Sequence, residues 1–338
     1  MTAAMTRDPA STKFLLCIWH RFELWRPPEW FAEMIRTRWP ALQFVHLPSY
    51  DGLEREIGDT NIFAGFSLRP EQFALARELE WIHCLAAGVN QLMQPAIVAS
   101  DVLITNSRGV HAVAMAEHTL GLILALARHL PSAVRYQDER HWSQSEIWAE
   151  EPHPMELGGR TLVIIGFGAI GRELARRAKA LGMNVVAVRK RANEDTEPAD
   201  AVFESGRLLE ALAAGDFVVV AAPETSETIG LINARTLAAM KPTAYLLNVS
   251  RGTLVNAADL IQALGAGQIA GAALDVTDPE PLPPDHALWS APRLLITPHV
   301  SAVSERLWHR HAALLLNNLE RWFSGRELLN LVDKKRGY

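Results

Sequence analysis

The feature that most constrains this 338-residue chain is a glycine-rich turn, G-F-G-A-I-G, set between an apolar strand-like run and an alanine-rich helical run. Gly166 would allow a tight turn, Gly168 would let the backbone approach a pyrophosphate, and Gly171 would let the helix pack closely on the strand. The first helical residues, Ala169 and Ile170, would present backbone amides to the phosphates. In this context the motif predicts a dinucleotide-binding α/β domain.

The residues after the second strand of that unit bear on which dinucleotide binds. NAD-selective sites carry an acidic residue there, about 20 residues beyond the glycines, which accepts hydrogen bonds from the ribose. In this chain the run N-V-V-A-V is followed instead by Arg189, Lys190 and Arg191. Three cations suit a 2′-phosphate, so the sequence predicts NADP(H) as the preferred cofactor and NAD(H) as the alternative. A solvated basic turn with no cofactor role is the competing interpretation.

Strand-like and helix-like runs alternate along the chain, which is the pattern of parallel α/β sheets, and the length favours two domains. Before the glycine turn, strands are predicted at 13–19, 42–47, 80–85 and 102–105, and helices at 28–38, 70–79, 111–128 and 132–142. From Thr161 the alternation restarts, and strands are predicted at 161–165, 184–188, 217–221, 244–248, 270–274 and 294–297. Helices are predicted there at 169–181, 208–214 and 304–323. The proline- and glycine-rich segment 150–160 is either a boundary or a long loop.

Composition excludes several classes of protein. The formal net charge is −5, so there is no basic surplus for a nucleic-acid backbone. The most apolar run, 120–127, is far shorter than the roughly 20 residues of a membrane span, and no secretory signal is visible at the N-terminus. Cys17 and Cys84 lack the paired spacing of a zinc site, and no metal is expected. A cytoplasmic enzyme is the resulting prediction.

Three polar residues follow strand-like runs in the second half of the chain. They are Arg251 after L-L-N-V-S, Glu280 in D-V-T-D-P-E-P, and His299 in T-P-H-V-S. Because the carboxyl ends of parallel strands open onto the ligand crevice, these side chains can converge although they are distant in sequence. Two of them have a structural alternative, since Arg251 could cap a turn or pair on the surface and a histidine after proline is often structural.

These motifs are similar, in order and spacing, to those of the D-isomer-specific 2-hydroxyacid dehydrogenases over nearly the whole chain. The matching runs are GFGAIG, VVVAAPETSETIGLI, LLNVSRGTLVNAADLIQAL, GAALDVTDPEPLPPDHALW and TPHVSA. Within that family the chain most resembles the glyoxylate and hydroxypyruvate reductases. The resemblance is weakest before Trp81, and the first familiar runs, LAAGVNQL and NSRGVHAVAMAEHTLGLILALAR, come after it.

The resemblance implies a fold of two Rossmann-like parallel-sheet domains. A flavodoxin-like substrate domain would be discontinuous, made of 1–106 and 299–338, and an NAD(P)-binding Rossmann domain would occupy 107–298. Segment 150–160 would then be a loop inside the nucleotide domain. The helix predicted at 111–128 would help to form a homodimer.

The resemblance also implies roles for the three polar residues. Arg251 would bind the carboxylate and carbonyl of the substrate, His299 would exchange a proton with the carbonyl oxygen, and Glu280 would hold His299. Hydride delivery builds negative charge on that oxygen, which an acid and a fixed cation stabilise. The predicted reaction is reduction of a small 2-keto acid, glyoxylate or hydroxypyruvate. Glu280 also favours this reaction over that of the similar formate dehydrogenases, which carry glutamine in that role.

Further contacts come only from the resemblance. The loop with Ala87 and Gly88 would hold the substrate carboxylate through backbone amides, with a plain turn as the alternative. Trp142 would reach the active site of the partner subunit, or would be a core tryptophan. The remaining cofactor contacts would be Ala222, Pro223, Val249, Ser250, Asp275 and His299.

Three other interpretations stay open at this stage. The enzyme could act on a bulkier D-2-hydroxy acid or on phosphoglycerate, and phosphate recognition would need extra cations near Ala87. The chain could instead be a dinucleotide-sensing regulator that is similar to the C-terminal-binding corepressors. Finally, the aromatic residues Trp19, Phe22, Trp25 and Trp30 could be the core of a small domain or could line a more apolar substrate pocket.

Overall fold

The computed structural model describes residues 7–190 and 196–337. The chain divides into two compact units. Unit 1 is Met1–Val110 with Ser304–Tyr338, and unit 2 is His111–Val303. The chain therefore passes between the units a few residues beyond 106 and 298, the ends of the predicted segments.

Each unit is built from parallel strands and helices in alternation. The strands are β1 (Lys13–Cys17), β2 (Gln43–Leu47), β3 (Ile62–Gly65), β4 (Trp81–Cys84), β5 (Leu103–Asn106), β6 (Thr161–Ile165), β7 (Asn184–Arg189), β8 (Ala201–Glu204), β9 (Phe217–Val220), β10 (Tyr245–Asn248), β11 (Gly271–Leu274) and β12 (Leu294–Ile296). The helices are α1 (Glu29–Arg38), α2 (Leu53–Glu56), α3 (Pro70–Leu75), α4 (Pro95–Ala99), α5 (Ala112–Ala127), α6 (Leu130–Asp138), α7 (Gln144–Ala149), α8 (Ala169–Ala180), α9 (Leu208–Ala214), α10 (Ala234–Ala238), α11 (Ala257–Gly265) and α12 (Leu307–Phe323).

Unit 1 has a five-stranded parallel sheet in the order β2-β1-β3-β4-β5. This is the flavodoxin-like order, and its reversal of direction lies between β1 and β3. Helices α1 and α12 pack on one face of the sheet through Phe31, Ile35, Leu315 and Leu319. The other face packs against α2 and α4. The apolar strands are therefore buried on both sides, as a parallel sheet requires.

Unit 2 has a seven-stranded parallel sheet in the order β12-β11-β10-β9-β6-β7-β8. Counted from β6, this is the Rossmann order with one added strand, and its reversal lies between β6 and β9. Helices α5 and α8 cover one face, and α9, α10 and α11 cover the other. The predicted fold class, two parallel-sheet α/β domains of flavodoxin-like and Rossmann type, is confirmed.

Two strands were not predicted from the sequence. Strand β3 is only four residues long, yet it lies at the centre of the unit 1 sheet and is fully buried. Strand β8 is an edge strand with a half-exposed pattern, so its sequence lacks a continuous apolar run. Tertiary pairing rather than local pattern makes both segments strands.

Several helix boundaries also differ from the prediction. The helix predicted at 132–142 corresponds to α6, which ends at Asp138, before the positive φ of Arg140; α7 begins at Gln144, beyond the predicted range. Helix α3 ends at Leu75 rather than at 79, and α12 begins at Leu307 rather than at 304. Segment 150–160 contains neither helix nor strand and lies inside unit 2, so it is a long loop.

Residues 7–190 and 196–337 contain neither a candidate membrane span nor a candidate metal site. No helix there is both long and apolar enough to cross a membrane. No group of three or more histidine, cysteine, aspartate or glutamate side chains there could hold a metal ion.

Candidate active site

The glycine turn of unit 2 is crowded at two of its glycines and open at the third. Gly166 has a φ of +95°, and a Cβ added there would lie 2.5 Å from the backbone nitrogen of Ala222. A Cβ on Gly171 would lie 2.6 Å from the carbonyl oxygen of Gly166. A Cβ on Gly168 would meet no atom of the described chain within 4 Å. The first and third glycines therefore serve chain packing, and the second leaves backbone open to an approaching group.

This open backbone is at the topological switch point of unit 2, where the strand order reverses between β6 and β9. Gly168 caps the N-terminus of the 12-residue helix α8, which Ala169 and Ile170 begin. Ala222, buried after β9, lies against Gly166, and Pro223 follows it on the exposed side. Switch points and helix N-termini are where α/β sheets bind phosphate-bearing ligands, so these residues fit a dinucleotide.

Two of the three predicted phosphate-binding cations lie in the described chain. Arg189 ends β7, next to β6, and Lys190 follows it. The Nζ atom of Lys190 lies 2.8 Å from Oε2 of Glu227, and both side chains are exposed. Arg191 lies outside the described residues. No acidic residue stands at the end of β7, as the sequence indicated.

Arg251 follows β10 on a turn that is fixed from within. The fully buried Asn248 donates from Nδ2 to the carbonyl oxygen of Arg251, at 2.8 Å, and accepts from the amide of Ser250, at 3.1 Å. Buried Val249 continues the sheet by donating to Val220. The turn presents the Arg251 side chain on the surface of unit 2.

Gly252 brings the arginine turn against the loop that carries Glu280. A Cβ on Gly252 would lie 2.0 Å from the carbonyl carbon of Thr277, so no other residue fits there. The amide of Thr277 donates to Oε1 of Glu280 at 3.0 Å. The positive charge of Arg251 also acts on Glu280. Sequence-distant turns are thus brought together as predicted for strand ends.

Glu280 and His299 form a hydrogen-bonded pair. Nδ1 of His299 lies 2.8 Å from Oε2 of Glu280, and both side chains are partly exposed. Burial works against the charged form of Glu280, but the hydrogen bond from His299 and the positive charge of Arg251 outweigh it and lower its pKa. An ionised carboxylate can only accept, so Nδ1 of His299 carries a hydrogen. Nε2 is the ring nitrogen left to face a reacting group.

The backbone that carries His299 is held around a buried carboxylate. His299 has a φ of +53°, and its amide donates to the carbonyl oxygen of Asp275 at 2.8 Å. The Asp275 carboxylate accepts from the hydroxyl of Thr297 at 2.6 Å and from the amides of Val300 and Ser301 at 3.0 Å each. Burial opposes the charge on Asp275, but these hydrogen bonds prevail and lower its pKa. Asp275 therefore fixes the chain on both sides of His299.

His118, on α5, completes this arrangement. Its Nε2 atom lies 3.1 Å from the hydroxyl oxygen of Thr297 and 3.6 Å from Oδ1 of Asp275. The only proton of the Thr297 hydroxyl is donated to Asp275, so that hydroxyl can only accept from His118. Nε2 of His118 is therefore the donor. We call His118, Thr297 and Asp275 the clasp.

The loop predicted to hold a carboxylate lies in unit 1, after β4. Asn106 donates from Nδ2 to the carbonyl oxygen of Ala87 at 2.8 Å, and the amide of Ser107 donates to Ala86 at 3.0 Å. Ala87 and Gly88 are exposed. Within residues 7–190 and 196–337, their amides donate to no acceptor. The carbonyls of the loop are thus held and its amides are available, as an oxyanion would require.

Trp142 lies in unit 2 between α6 and α7. Its side chain is 88% exposed, so the alternative of a core tryptophan is wrong. Trp148 on the adjoining helix is 63% exposed and stacks on His153, with ring centroids 4.4 Å apart. Large aromatic rings so exposed are typical of surfaces that a partner covers.

Comparison with known proteins agrees with this geometry. A model of the NAD binding domain of the D-isomer specific 2-hydroxyacid dehydrogenases matches residues 120–301. The chain belongs to the D-isomer specific 2-hydroxyacid dehydrogenase family. It is an NAD(P)-dependent oxidoreductase, and its cofactor is a nicotinamide dinucleotide.

Relatives of this dehydrogenase cover most of its length. It is 35% identical over 247 residues to glyoxylate reductase/hydroxypyruvate reductase of Mus musculus, covering 73% of this chain and 74% of the mouse protein. A family structure from Aeromonas salmonicida subsp. salmonicida A449 is 32% identical, with a TM-score of 0.81, covering 96% of this chain and 99% of that one. A family structure from Xanthobacter autotrophicus Py2, in complex with NADPH and MES, is 28% identical. Its TM-score is 0.81, and the match covers 97% of this chain and 100% of that one.

Sequence reasoning missed several residues that position the site of this dehydrogenase. Asn248, Gly252, Thr297 and His118 lie in runs that resemble the family, but nothing in their spacing or charge assigns them a role. Asn248 stands out only as a polar residue at the end of a buried strand. The role of the others depends on close approaches between distant segments, which spacing along the chain does not reveal.

Proposed function

We propose that this dehydrogenase reduces the carbonyl of a 2-keto acid to a D-2-hydroxy acid with NADPH, and that glyoxylate and hydroxypyruvate are substrates. The observation that carries the proposal is the Glu280–His299 pair, 2.8 Å between Oε2 and Nδ1, beside the Arg251 turn in unit 2. A bulkier D-2-hydroxy acid is the second candidate, favoured by aromatic residues at the strand ends of unit 1.

In this proposal Arg251 binds the carboxylate and carbonyl of the keto acid, because a guanidinium pairs well with planar oxygen groups. The amides of Ala87 and Gly88 are suited to the same carboxylate. The bound nicotinamide supplies the hydride. Cofactor-binding residues in the proposal are Gly166, Gly168, Ala169, Ile170, Gly171, Arg189, Lys190, Arg191, Ala222, Pro223, Val249, Ser250, Asp275 and His299.

His299 donates a proton from Nε2 to the carbonyl oxygen as negative charge develops there. Glu280 accepts from Nδ1, which keeps the ring oriented and stabilises its charged form. Arg251 places a fixed positive charge near the same oxygen. The clasp keeps His299 in its left-handed backbone conformation, so the ring needs no rearrangement during the reaction.

The preference for NADPH is supported by Arg189, which stands where an NAD-selective site carries an acid. Lys190 adds a second cation, although Glu227 pairs with it. In the test, the ratio of kcat/KM for NADPH to that for NADH is measured in the wild type and in Arg189→Ala. A ratio above about ten that falls in the variant supports the preference. Equal use of both cofactors by the wild type contradicts it.

We also propose a homodimer that covers the exposed apolar side chains of α5, α6, α7 and the link between α6 and α7. Leu124, Leu130, Val134, Trp142 and Trp148 are exposed by 38% to 88%. Light scattering with size-exclusion chromatography tests this, and Trp148→Glu is expected to shift a dimer toward monomer. A wild-type monomer at micromolar concentration contradicts the proposal. A cytoplasmic location stays a prediction.

The reaction itself is tested by initial rates of NADPH oxidation with glyoxylate and hydroxypyruvate. His299→Ala is expected to lower kcat by about 10³-fold, the scale of lost general acid catalysis. His153→Ala, which removes an exposed histidine of segment 150–160, is the control and is expected to keep kcat within about twofold.

Near-normal turnover by His299→Ala would mean that another group donates the proton. Cofactor binding without turnover of any 2-keto acid would favour the alternative of a dinucleotide-sensing regulator. If the wild type reduces a 2-keto acid with either cofactor and His299→Ala does not, the result supports the role proposed for His299.

A further inference from the structure

Unit 1 has its own topological switch point, between β1 and β3, and aromatic residues surround it. Cys17 at the end of β1 is in register with Gly65 at the end of β3. The chain then continues into Trp19 and His20 from β1, and into Phe66 from β3. In open α/β sheets the crevice outside such strand ends is the usual ligand site. Unit 1 therefore offers a ligand edge whose lining is aromatic.

The rings at this edge contact one another. His20 lies 5.5 Å from Phe22, 6.3 Å from Phe66 and 6.5 Å from Trp25, measured between ring centroids. The side chains of Trp19, Phe22 and Leu24 are 41%, 47% and 42% exposed. We call Trp19, His20, Phe22 and Phe66 the aromatic edge.

The aromatic edge carries little charge of its own. Burial, together with the nearby Arg21 and Arg26, lowers the pKa of His20, so its ring is neutral at neutral pH. Arg26 donates from Nε to the carbonyl oxygen of His20 at 2.6 Å, so it is engaged in holding the loop. Arg21 lies over the ring of Phe22, 4.6 Å from its centroid. Arg26 also lies over the ring of Trp19, 5.7 Å from its centroid. The edge is thus suited to an apolar group, with a guanidinium against each of these two rings.

The carboxylate loop of unit 1 is next to this edge. Gly65 is in register with Cys84, so the end of β4 lies beside the end of β3. The Sγ atom of Cys84 lies 3.9 Å from the carbonyl oxygen of Phe66 and 3.8 Å from that of Gly88. A carboxylate on the amides of Ala87 and Gly88 would therefore have the aromatic edge as its neighbour within the same unit.

We propose that the aromatic edge is the subsite for the substituent on the keto carbon, and that this enzyme prefers 2-keto acids with an apolar, aromatic or branched side chain to glyoxylate. The inference rests on the proposed function and narrows its substrate class. Glyoxylate, which has only hydrogen in place of a side chain, gains nothing from this edge. A benzyl or isobutyl group would cover Trp19 and Phe22 and would leave water.

The test compares kcat/KM with NADPH for phenylpyruvate, 4-methyl-2-oxopentanoate, hydroxypyruvate, 2-oxoglutarate and glyoxylate. Removing an apolar side chain of this size from water corresponds to roughly a tenfold or larger gain over glyoxylate. In Phe22→Ala and Trp19→Ala, the ratio of kcat/KM for phenylpyruvate to that for glyoxylate is expected to fall by about tenfold. Trp289→Ala removes a tryptophan in unit 2 that is 54% exposed, and is expected to leave the ratio within about twofold of wild type.

Each outcome decides the matter. Preference for both apolar acids, with the ratio reduced in Phe22→Ala or Trp19→Ala, supports the subsite. Preference for glyoxylate or hydroxypyruvate overturns it and leaves the proposed function intact. Preference for 2-oxoglutarate also overturns it, because the side-chain carboxylate of that acid would pair with Arg21 and the apolar rings would not select the substrate. An apolar preference that neither variant alters assigns the side chain to another surface. Absence of turnover with all five acids overturns the proposed function as well.

Discussion

Both sheets of this dehydrogenase have a topological switch point at which α/β sheets bind ligands, but different residues line the carboxyl ends of their strands. In unit 2 a glycine turn stands at the switch point, and an arginine and a carboxylate–histidine pair follow the ends of the strands on one side of it. At the switch point of unit 1 stand aromatic rings beside a loop of small residues. Both edges need a glycine, because a Cβ on Gly166 would meet Ala222 and a Cβ on Gly65 would lie 2.6 Å from the carbonyl oxygen of Cys17.

The two edges differ in how well their residues can be predicted from the sequence. Residues that act on atoms shared by all substrates have fixed chemical requirements, so they occur in recognisable motifs. Residues that contact the variable part of a substrate need only suitable shape and polarity. Unit 2 would therefore govern rate for every substrate, and unit 1 would govern selection among substrates.

The largest expected effect tests the unit 2 side of this comparison. Arg251→Gln is expected to lower kcat/KM by about 10²- to 10³-fold for both glyoxylate and phenylpyruvate, since in the proposed function the guanidinium binds the carboxylate and carbonyl that both acids share. Steady-state rates with NADPH measure it. Arg207→Gln, which breaks an exposed pair with Glu210, is the control. A loss confined to one substrate would contradict the division of roles.

The glycines at the two switch points give the next effect. Gly166→Ala is expected to lower the free energy of unfolding by about 3 kcal/mol, because it combines a positive φ with backbone overlap. Gly65→Ala is expected to cost about 2 kcal/mol through overlap alone. Gly168→Ala has room, so its stability should stay near wild type while NADPH affinity falls about tenfold.

Urea unfolding and fluorescence titration with NADPH measure these three variants. If Gly168→Ala is as unstable as Gly166→Ala, the claim that the turn is open at Gly168 is contradicted. If Gly65→Ala loses stability but keeps NADPH affinity, the result supports assigning the cofactor to unit 2 alone.

The clasp predicts a stability effect that depends on pH. Asp275→Asn is expected to lower the free energy of unfolding by about 2 kcal/mol at pH 7, because an amide cannot accept from Thr297, Val300 and Ser301 together. The folded-state pKa of Asp275 lies below its ordinary value of 3.8, so this contribution is present above about pH 4 and is lost as pH falls through the folded-state pKa. Urea unfolding at pH 7 and at pH 3 tests the sign. An equal difference at both values would contradict it.

The smallest expected effect concerns His118. His118→Leu removes the donor to Thr297 and is expected to lower kcat about fivefold with the Kd for NADPH unchanged, the scale of one neutral hydrogen bond. His118→Gln, which can still donate, is expected to recover most of the loss. Glu117→Ala on the same turn is the control. Full activity of His118→Leu would mean that the clasp closes without the histidine.

Much of the fold could be predicted because parallel strands buried on both faces are apolar throughout. Strands β6, β9 and β10 are of this kind. Strands β3 and β8 could not be predicted, because one is a four-residue central strand and the other a half-exposed edge. Their pairing is decided by neighbours that are distant in sequence.

The site divides in the same way. Gly166, Gly168, Arg251, Glu280 and His299 could be identified because each carries a distinct chemistry at a strand end. Others could not, because only the folded chain shows that the Arg251 turn touches Thr277 through Gly252 or that Thr297 must accept from His118. The exposure of Trp142 also depends on tertiary structure.

The most direct test of the two-edge account is one ratio measured in two variants. That ratio is kcat/KM for phenylpyruvate over kcat/KM for glyoxylate, compared between wild type, Arg251→Gln and Phe22→Ala. We predict that Arg251→Gln lowers both values of kcat/KM and keeps their ratio within about twofold, whereas Phe22→Ala lowers the ratio about tenfold. A ratio that changes in Arg251→Gln and not in Phe22→Ala would contradict the assignment of substrate selection to unit 1.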